Sequence, residues 1–361
     1  MNRLRPDEFL RDCWQKQPLF LRQAVPDGLP QLDPDELAWL ATLEDVESRL
    51  VFTQRDGDRC RYRVQHGPFA ENEIRQLPER DWTLLVNDVE KHLPELRPIV
   101  DLVEFLPDWR LDDLMVSFAA PGGGVGPHKD NYDVFLCQGP GSRQWHYTTD
   151  DIPTDADASA DLALLQPFDG ERCVARPGDL LYLPPHVPHW GTANDACLTY
   201  SIGMRAPRLS DLRAEDATGA ADPFYADPEL RIEEVHPGYI SPTAIERAVS
   251  LLGGELVRDE TAMRLGCFVT RNKDWLRPDG MTELPDGDLR LHGMARIAWD
   301  DEHVYLNGAS RSLESGEREL IGSLCRDRCI PRAELAGFLA VDALRVLIEW
   351  LLRHGAFEHS D

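Results

Sequence analysis

From Asp112 to Arg205 the chain alternates short apolar runs with Gly, Pro and Asp turns. The runs are LMVSFAA, YDVFLCQ, RQWHYTT, DLLYLPP and LTYSIGMR. Short strands at such regular spacing predict a double-sheet jelly roll or a barrel. Upstream, a short helix signal precedes the strand-like PLFLRQAVP. Asp33-Pro34-Asp35-Glu36 predicts a helix start, with Asp33 as the N-cap and Pro34 in the first position, running to about Leu43. Val46 to Thr53 and Cys60 to His66 predict two strands around the polar turn Gln54-Arg55-Asp56-Gly57-Asp58. DWTLLVNDV, from Asp81, reads as a buried strand, and His92 to Leu106 as a helix.

After the strand-rich block the period changes. Pro207 to Pro228, rich in Ala, Asp and Pro, reads as a linker in which Asp211 to Glu215 can start a helix. Ser241 then caps a helix beginning at Pro242, with Ile240 stapled to Ile245. That helix runs through Leu252 to Gly253-Gly254, and a second follows from about Glu255 to Leu265. An isolated helical pair with apolar faces needs a partner surface, and a homodimer contact is expected there. The last third holds Leu289 to Trp299, His303 to Leu306, a tight Asn307-Gly308 turn, and helices near Ser315 to Arg326, Pro331 to Phe338 and Val341 to Arg353. A β wing with two or three helices predicts a winged-helix-like module. The expected fold class is therefore α+β: a jelly-roll domain over 1–207, a linker and helical dimerisation region over 208–266, and a winged-helix-like domain over 267–361.

Composition narrows this little: 361 residues suit two or three domains. No early stretch has the make-up of a signal peptide, and no run approaches the roughly 18 apolar residues of a membrane span. A cytoplasmic protein is expected. The net charge of −26 disfavours nucleic acid and suits either plain solubility or a basic macromolecular partner. The eight cysteines are scattered without a C-x-x-C pair and read as reduced thiols. The winged-helix region has no basic stripe, so no direct DNA binding is expected of it.

The chemistry is concentrated in PGGGVGPHKDNY, Pro121 to Tyr132. His128 and Asp130 form an H-x-D pair after a glycine-rich turn, and alternation on a strand points residues i and i+2 the same way. Two histidines and one carboxylate on a β scaffold are the ligand set of a facial triad that binds Fe(II) and leaves one face open. The third ligand lies in PPHVPH, as His186 or His189, with His186 placed in the turn after two prolines. His146 reads as a strand residue lining the wall. A metal with open positions needs a co-substrate, and 2-oxoglutarate requires a cation for its far carboxylate. Arginine's planar fork suits that carboxylate. Arg143, opening a strand, is preferred over Arg205. Ser117 can add a hydroxyl hydrogen bond, with Thr199 and Ser201 as weaker candidates.

Taken together, FLRDCWQKQPLFLRQA, LPDWRLDDLMVSFAAPGGGVGPHKDNYDVFLCQGPGSRQW, LPPHVPHWG and TYSIGMRAP resemble the JmjC-type ribosomal oxygenases, most of all the bacterial arginine-hydroxylating branch. The likeness is dense over about residues 7 to 210; beyond that it lies in order and size. It implies a JmjC (cupin) barrel, a helical dimerisation region and a winged helix. It also implies Fe(II) on His128, Asp130 and His189, with 2-oxoglutarate on Arg143 and Ser117 and O2 as second co-substrate. The implied reaction hydroxylates the β-carbon of an arginine in a basic large-subunit ribosomal protein. Eukaryotic relatives act on histidines. His186 and His146 depart from the family pattern. Two other readings fit the same residues: a non-catalytic sensor with a nucleic-acid-binding winged helix, and the same chemistry on a histidine or methylated lysine.

Overall fold

The structure is a computed structural model that describes residues 4–26, 29–56, 59–156, 164–213, 222–254, 256–314 and 316–358. The chain forms two compact units, one of residues 1–103 with 112–204 and the other of residues 104–111 with 205–361.

Among the described residues of the first unit, short runs rich in apolar side chains build eleven strands. These are β1 (Leu19–Leu21), β2 (Ser48–Asp56), β3 (Arg59–His66), β4 (Trp82–Val86), β5 (Leu111–Ala119), β6 (Val134–Gln138), β7 (Arg143–Tyr147), β8 (Glu171–Ala175), β9 (Leu180–Leu183), β10 (His189–Ala193) and β11 (Cys197–Met204). One sheet has the order β1-β9-β6-β11-β5-β4-β2-β3 and the other β10-β7-β8. Val134, Leu136, Leu181 and Leu183 of the large sheet pack with Trp145 and Ala175 of the small one, the two-layer core of a jelly roll. The N-terminal helix, Pro6–Asp12, covers the opposite face of the large sheet, where Phe135 and Tyr182 project. Its Phe9 meets Tyr182 edge-on at 4.7 Å. The Tyr182 hydroxyl in turn donates to buried Asp133 at 2.5 Å, close behind the H-x-D segment.

Local signals place most of these elements. Asp33 caps the helix Pro34–Leu40 by accepting from the Asp35 N–H at 2.8 Å. The turn joining β2 to β3 includes residues 57–58, which lie outside the described residues. The long helix expected over His92 to Leu106 is not formed. Single turns at Val89–His92, Pro94–Leu96, Arg97–Val100 and Asp101–Val103 take its place. Pro94 and Pro98 each remove a backbone donor and collide with the preceding turn, so a continuous helix cannot propagate.

The second unit holds the helices Pro242–Leu251 and Arg258–Val269. Ser241 caps the first by accepting from the Ala244 N–H at 3.1 Å. Three strands, β13 (Ile297–Trp299), β14 (His303–Leu306) and β15 (Ala309–Ser312), follow a short β12 (Leu289–Arg290) that pairs with β16 (Cys329–Ile330). Asn307 and Gly308 join β14 to β15 with φ of 51° and 85°, the positive values that such a two-residue hairpin requires. Helices Arg318–Asp327, Arg332–Leu339 and Asp342–Arg353 close a core around Ile321, Leu347 and Leu351. The linker read over Pro207 to Pro228 and the helix start at Asp211 fall partly on 214–221, and two helix starts, Glu255 and Ser315, fall on single residues, all outside the described residues.

The apolar faces of the helical pair are covered within the chain, contrary to the expectation that they need a second copy. Ile245, Ala248, Leu265 and Val269 share one core with Ala298 and Tyr305 from the β wing. Gly266 lies flat on Tyr305: an added Cβ would stand 2.4 Å from the ring. The ring is fully buried and its hydroxyl donates to Asp300 at 2.6 Å, so it has no room to yield. Gly266→Ala is expected to cost about 1–3 kcal/mol of stability by overpacking. Urea unfolding measures this, and an unchanged midpoint would refute the packing described.

Candidate functional site

His128, Asp130 and His189 converge from separate parts of the first unit. Each offers one ligand atom, and these atoms lie within 4.8 Å of one another. His189 opens β10. His128 sits beside it through a single antiparallel bridge, with N–H···O distances of 3.0 and 2.8 Å between the two backbones. The H-x-D pair is thus on one bridge rather than on a full strand. Gly126, with φ of 87°, turns the chain into this position, and its carbonyl holds His128 Nδ1 at 2.9 Å. The Val187 carbonyl holds His189 Nδ1 at 3.0 Å. Both rings are fixed through Nδ1, leaving Nε2 for a ligand, as metal-bound histidines are usually oriented. His189 Nε2 is 3.7 Å from Asp130 Oδ2. Burial, with the neighbouring His128, lowers the His189 pKa to about 4, so its ring is neutral at pH 7 and ready to donate an electron pair.

These residues line a cavity of about 350 Å³ between the two sheets. Arg143, at the start of β7, reaches the same cavity and is only 4% exposed. Its Nε and Nη2 are shielded and have no hydrogen-bond partner among the described residues. The guanidinium rests on the Trp145 ring at 5.5 Å. A buried cation in this state is costly unless an anion joins it. Ser117, on β5, and Ser201, on β11, also line the cavity; the Thr199 hydroxyl is buried without a partner.

The alternative residues lie elsewhere. His186 is an exposed turn residue with φ of 65°. His146 points to the other face of β7, where it stacks on Trp190 at 3.9 Å and bonds Gln144 at 2.8 Å, rather than lining the cavity. Arg205 belongs to the second unit, where its Nη1 donates to the carbonyls of Phe268, Val269 and Arg271 at 3.0–3.4 Å.

Sequence reasoning missed Arg49, Asp113, Met115 and Tyr132, all of which line the cavity. The available signal was strand alternation: Asp113 and Met115 precede Ser117 by four and two positions on β5 and share its face. Asp113 is 9% exposed and accepts from the Asp88 N–H at 3.3 Å. Burial, followed by the charges of Asp112, Asp88 and Glu90, raises its pKa to about 8, outweighing the opposing pull of Lys91.

A jelly roll that brings two histidines and an aspartate together beside a buried arginine has the make-up of a JmjC-type domain with a candidate metal site. The JmjC domain family matches residues 98–212. The ribosomal protein uL16 3-hydroxylase of Escherichia coli is 31% identical over 96% of both chains. A Haemophilus influenzae protein named "Probable ribosomal oxygenase" is 41% identical over 63% of this chain and 56% of its own length, so this match spans little more than half of that protein. Among solved structures, E. coli YcfD superposes with a TM-score of 0.79 at 29% identity over 99% of each chain. YcfD in complex with cobalt and 2-oxoglutarate gives 0.75 at 29% identity over 98% of each chain. The chain belongs to the JmjC-type ribosomal oxygenase family.

Proposed function

We propose that the protein is an Fe(II)- and 2-oxoglutarate-dependent dioxygenase that hydroxylates the β-carbon of an arginine in a large-subunit ribosomal protein. The observation that carries this reading is the shielded, unpartnered Arg143 guanidinium in one cavity with the three ligand side chains. His128, Asp130 and His189 would hold the iron, and the donor set fits: two neutral nitrogens and one carboxylate oxygen, both rings oriented from behind. When bound, iron, 2-oxoglutarate and O2 supply oxidative decarboxylation to succinate and carbon dioxide, coupled to hydroxylation of a C–H bond.

The remaining work falls to the chain. Arg143 takes the far carboxylate of the keto acid bidentately, with Ser117 as hydroxyl partner. Val134, Leu136 and Trp145 form an apolar wall that keeps water from the reacting carbon. Asp113 faces the cavity as the anion for the substrate guanidinium. The net charge of −26 favours approach of a basic ribosomal protein.

The test is intact-mass analysis of ribosomal proteins after incubation with the enzyme, Fe(II), 2-oxoglutarate and ascorbate, beside a His128→Ala control. A gain of one oxygen on a single large-subunit protein, absent from the control and mapped to an arginine β-carbon by fragmentation, is the expected result. Turnover of 2-oxoglutarate with no oxygen on any ribosomal protein would sink the substrate assignment.

A pH profile tests Asp113. The carboxylate must be ionised to pair with a guanidinium, and in the free site it is held protonated up to about pH 8. The kcat/KM for an arginine peptide is expected to rise from about pH 6 through pH 8 and to level off about one pH unit above that. Asp113→Asn is expected to lower kcat/KM about 10- to 100-fold, the loss of a charge-assisted hydrogen bond, and to abolish that rise. An Asp113→Asn enzyme with the parent profile would exclude this role.

A homodimer and a winged-helix-like C-terminal module belong to the same proposal. Val257, 70% exposed, and Met263 leave apolar surface outside the covered core of the helical pair, which favours self-association there. The three-stranded wing with its helices suits contact with protein rather than DNA, given the chain's negative charge. Light scattering of the purified chain tests the first point; a monomer at all concentrations would remove it. Among the described residues no helix is long and apolar enough to cross a membrane, which is compatible with a cytoplasmic setting.

A further inference from the structure

We propose that Arg49 binds the main chain of the substrate polypeptide at the target residue. The inference rests on the arginine-hydroxylase reading and extends it. A β-carbon is one bond from Cα, so hydroxylating it brings the backbone into the cavity along with the side chain. The peptide carbonyls on either side then leave water and need donors from the wall, because a buried carbonyl without a partner forfeits a hydrogen bond.

Few donors on the wall are free for this. Arg143 and Ser117 serve the keto acid, and Lys129 faces Asp151 at 3.5 Å. Arg49 differs. It comes from β2, opposite Leu85 of β4, which is itself opposite Ser117 of β5, so the three form one row across the cavity floor. Its Nε is shielded and has no hydrogen-bond partner among the described residues. Its Nη2 lies 3.9 Å from the sulfur of Met115, a weak acceptor. Among the described residues Arg49 forms no ion pair. Met115 stands between Asp113 and Ser117 on the cavity face of β5. The guanidinium therefore sits between the anion for the substrate side chain and the hydroxyl for the keto acid. The target residue's main chain has to pass through that gap. A planar fork with several donors can hold a carbonyl oxygen there, and an ammonium cannot reproduce its geometry.

The test uses the full-length enzyme with Fe(II), 2-oxoglutarate and a peptide spanning the target arginine. Arg49→Gln is expected to lower kcat/KM for the peptide about 10- to 100-fold. The change should fall on the peptide's KM rather than on that for 2-oxoglutarate, and Arg49→Lys should restore little. In a second arm, an ester replaces the amide that follows the target residue, which weakens the target's own carbonyl as an acceptor. The parent enzyme should lose activity on the ester, and Arg49→Gln should lose no more. Parent-like peptide kinetics in Arg49→Gln would overturn the inference. So would independent, multiplying effects of variant and ester, or a change confined to the 2-oxoglutarate KM. If the parent enzyme itself turns over 2-oxoglutarate without oxidising the peptide, the arginine-hydroxylase reading fails first, and that result is read on the parent alone.

Discussion

Asp130→Ala is expected to leave the fold intact and to remove both bound metal and turnover. The three ligand atoms lie within 4.8 Å of one another, and Asp130 is the one anionic member. The cations along the cavity, Arg49, Lys129 and Arg143, work against a dication. Without the carboxylate, two neutral imidazoles would have to hold the metal close to cationic side chains. Changing a residue that merely supports a metal ligand typically costs 10–100-fold in affinity or activity. Removing a charged ligand is expected to exceed that, with turnover falling by more than about 10³-fold. Asp130 is half-buried and forms no strand, so the folded state has little reason to depend on its side chain. Metal analysis of the dialysed variant, with circular dichroism as the check on folding, measures both halves of the expectation. A variant that retains stoichiometric Fe(II) and half its turnover would show that the ligand set is wrong.

What made this centre legible from sequence is that its parts are announced locally. The glycine-rich turn, the H-x-D pair and PPHVPH each carry their own punctuation, and an arginine opening an apolar strand stands out. The walls of the cavity are not announced in that way. Asp113 could be read from its alternation with Ser117, but Arg49 comes from a strand far away in the chain, and its place beside them depends on register. Register is fixed only when β2, β4 and β5 pair. Two strands escaped notice for a related reason. Glu171–Ala175 opens on two exposed charged residues and has no bulky aliphatic residue except Val174, and His189–Ala193 has a glycine at its centre and Trp190 as its one bulky apolar residue. The helical pair shows a different limit. Its amphipathic pattern was plain, but the pattern alone says only that a face is covered, and Tyr305 covers it from within the chain.

Arg143→Met is expected to move stability and co-substrate binding in opposite directions. In the ligand-free protein Arg143 is a buried cation whose Nε and Nη2 have no partner. Its guanidinium lies over the Trp145 ring, and a cation–π contact at 5.5 Å offsets only part of its lost hydration. Replacing an uncompensated buried charge by an apolar side chain of similar length is commonly neutral or stabilising. The ligand-free variant should therefore melt no lower than the parent. The keto acid reverses the balance. Two parallel hydrogen bonds between charged groups contribute about 1.5–3 kcal/mol each. Their loss predicts a 2-oxoglutarate KM raised by about 10² to 10⁴-fold. Linkage gives a second reading of the same quantity: a ligand at 100 times its Kd stabilises the folded state by about 2.7 kcal/mol. The metal-loaded parent should show that increment on adding 2-oxoglutarate, and the variant should not. Thermal unfolding with and without the keto acid, in parent and variant, supplies the four values needed. If Arg143→Met instead destabilises the ligand-free protein while 2-oxoglutarate stabilises both forms equally, Arg143 is a structural cation and the keto acid is held elsewhere.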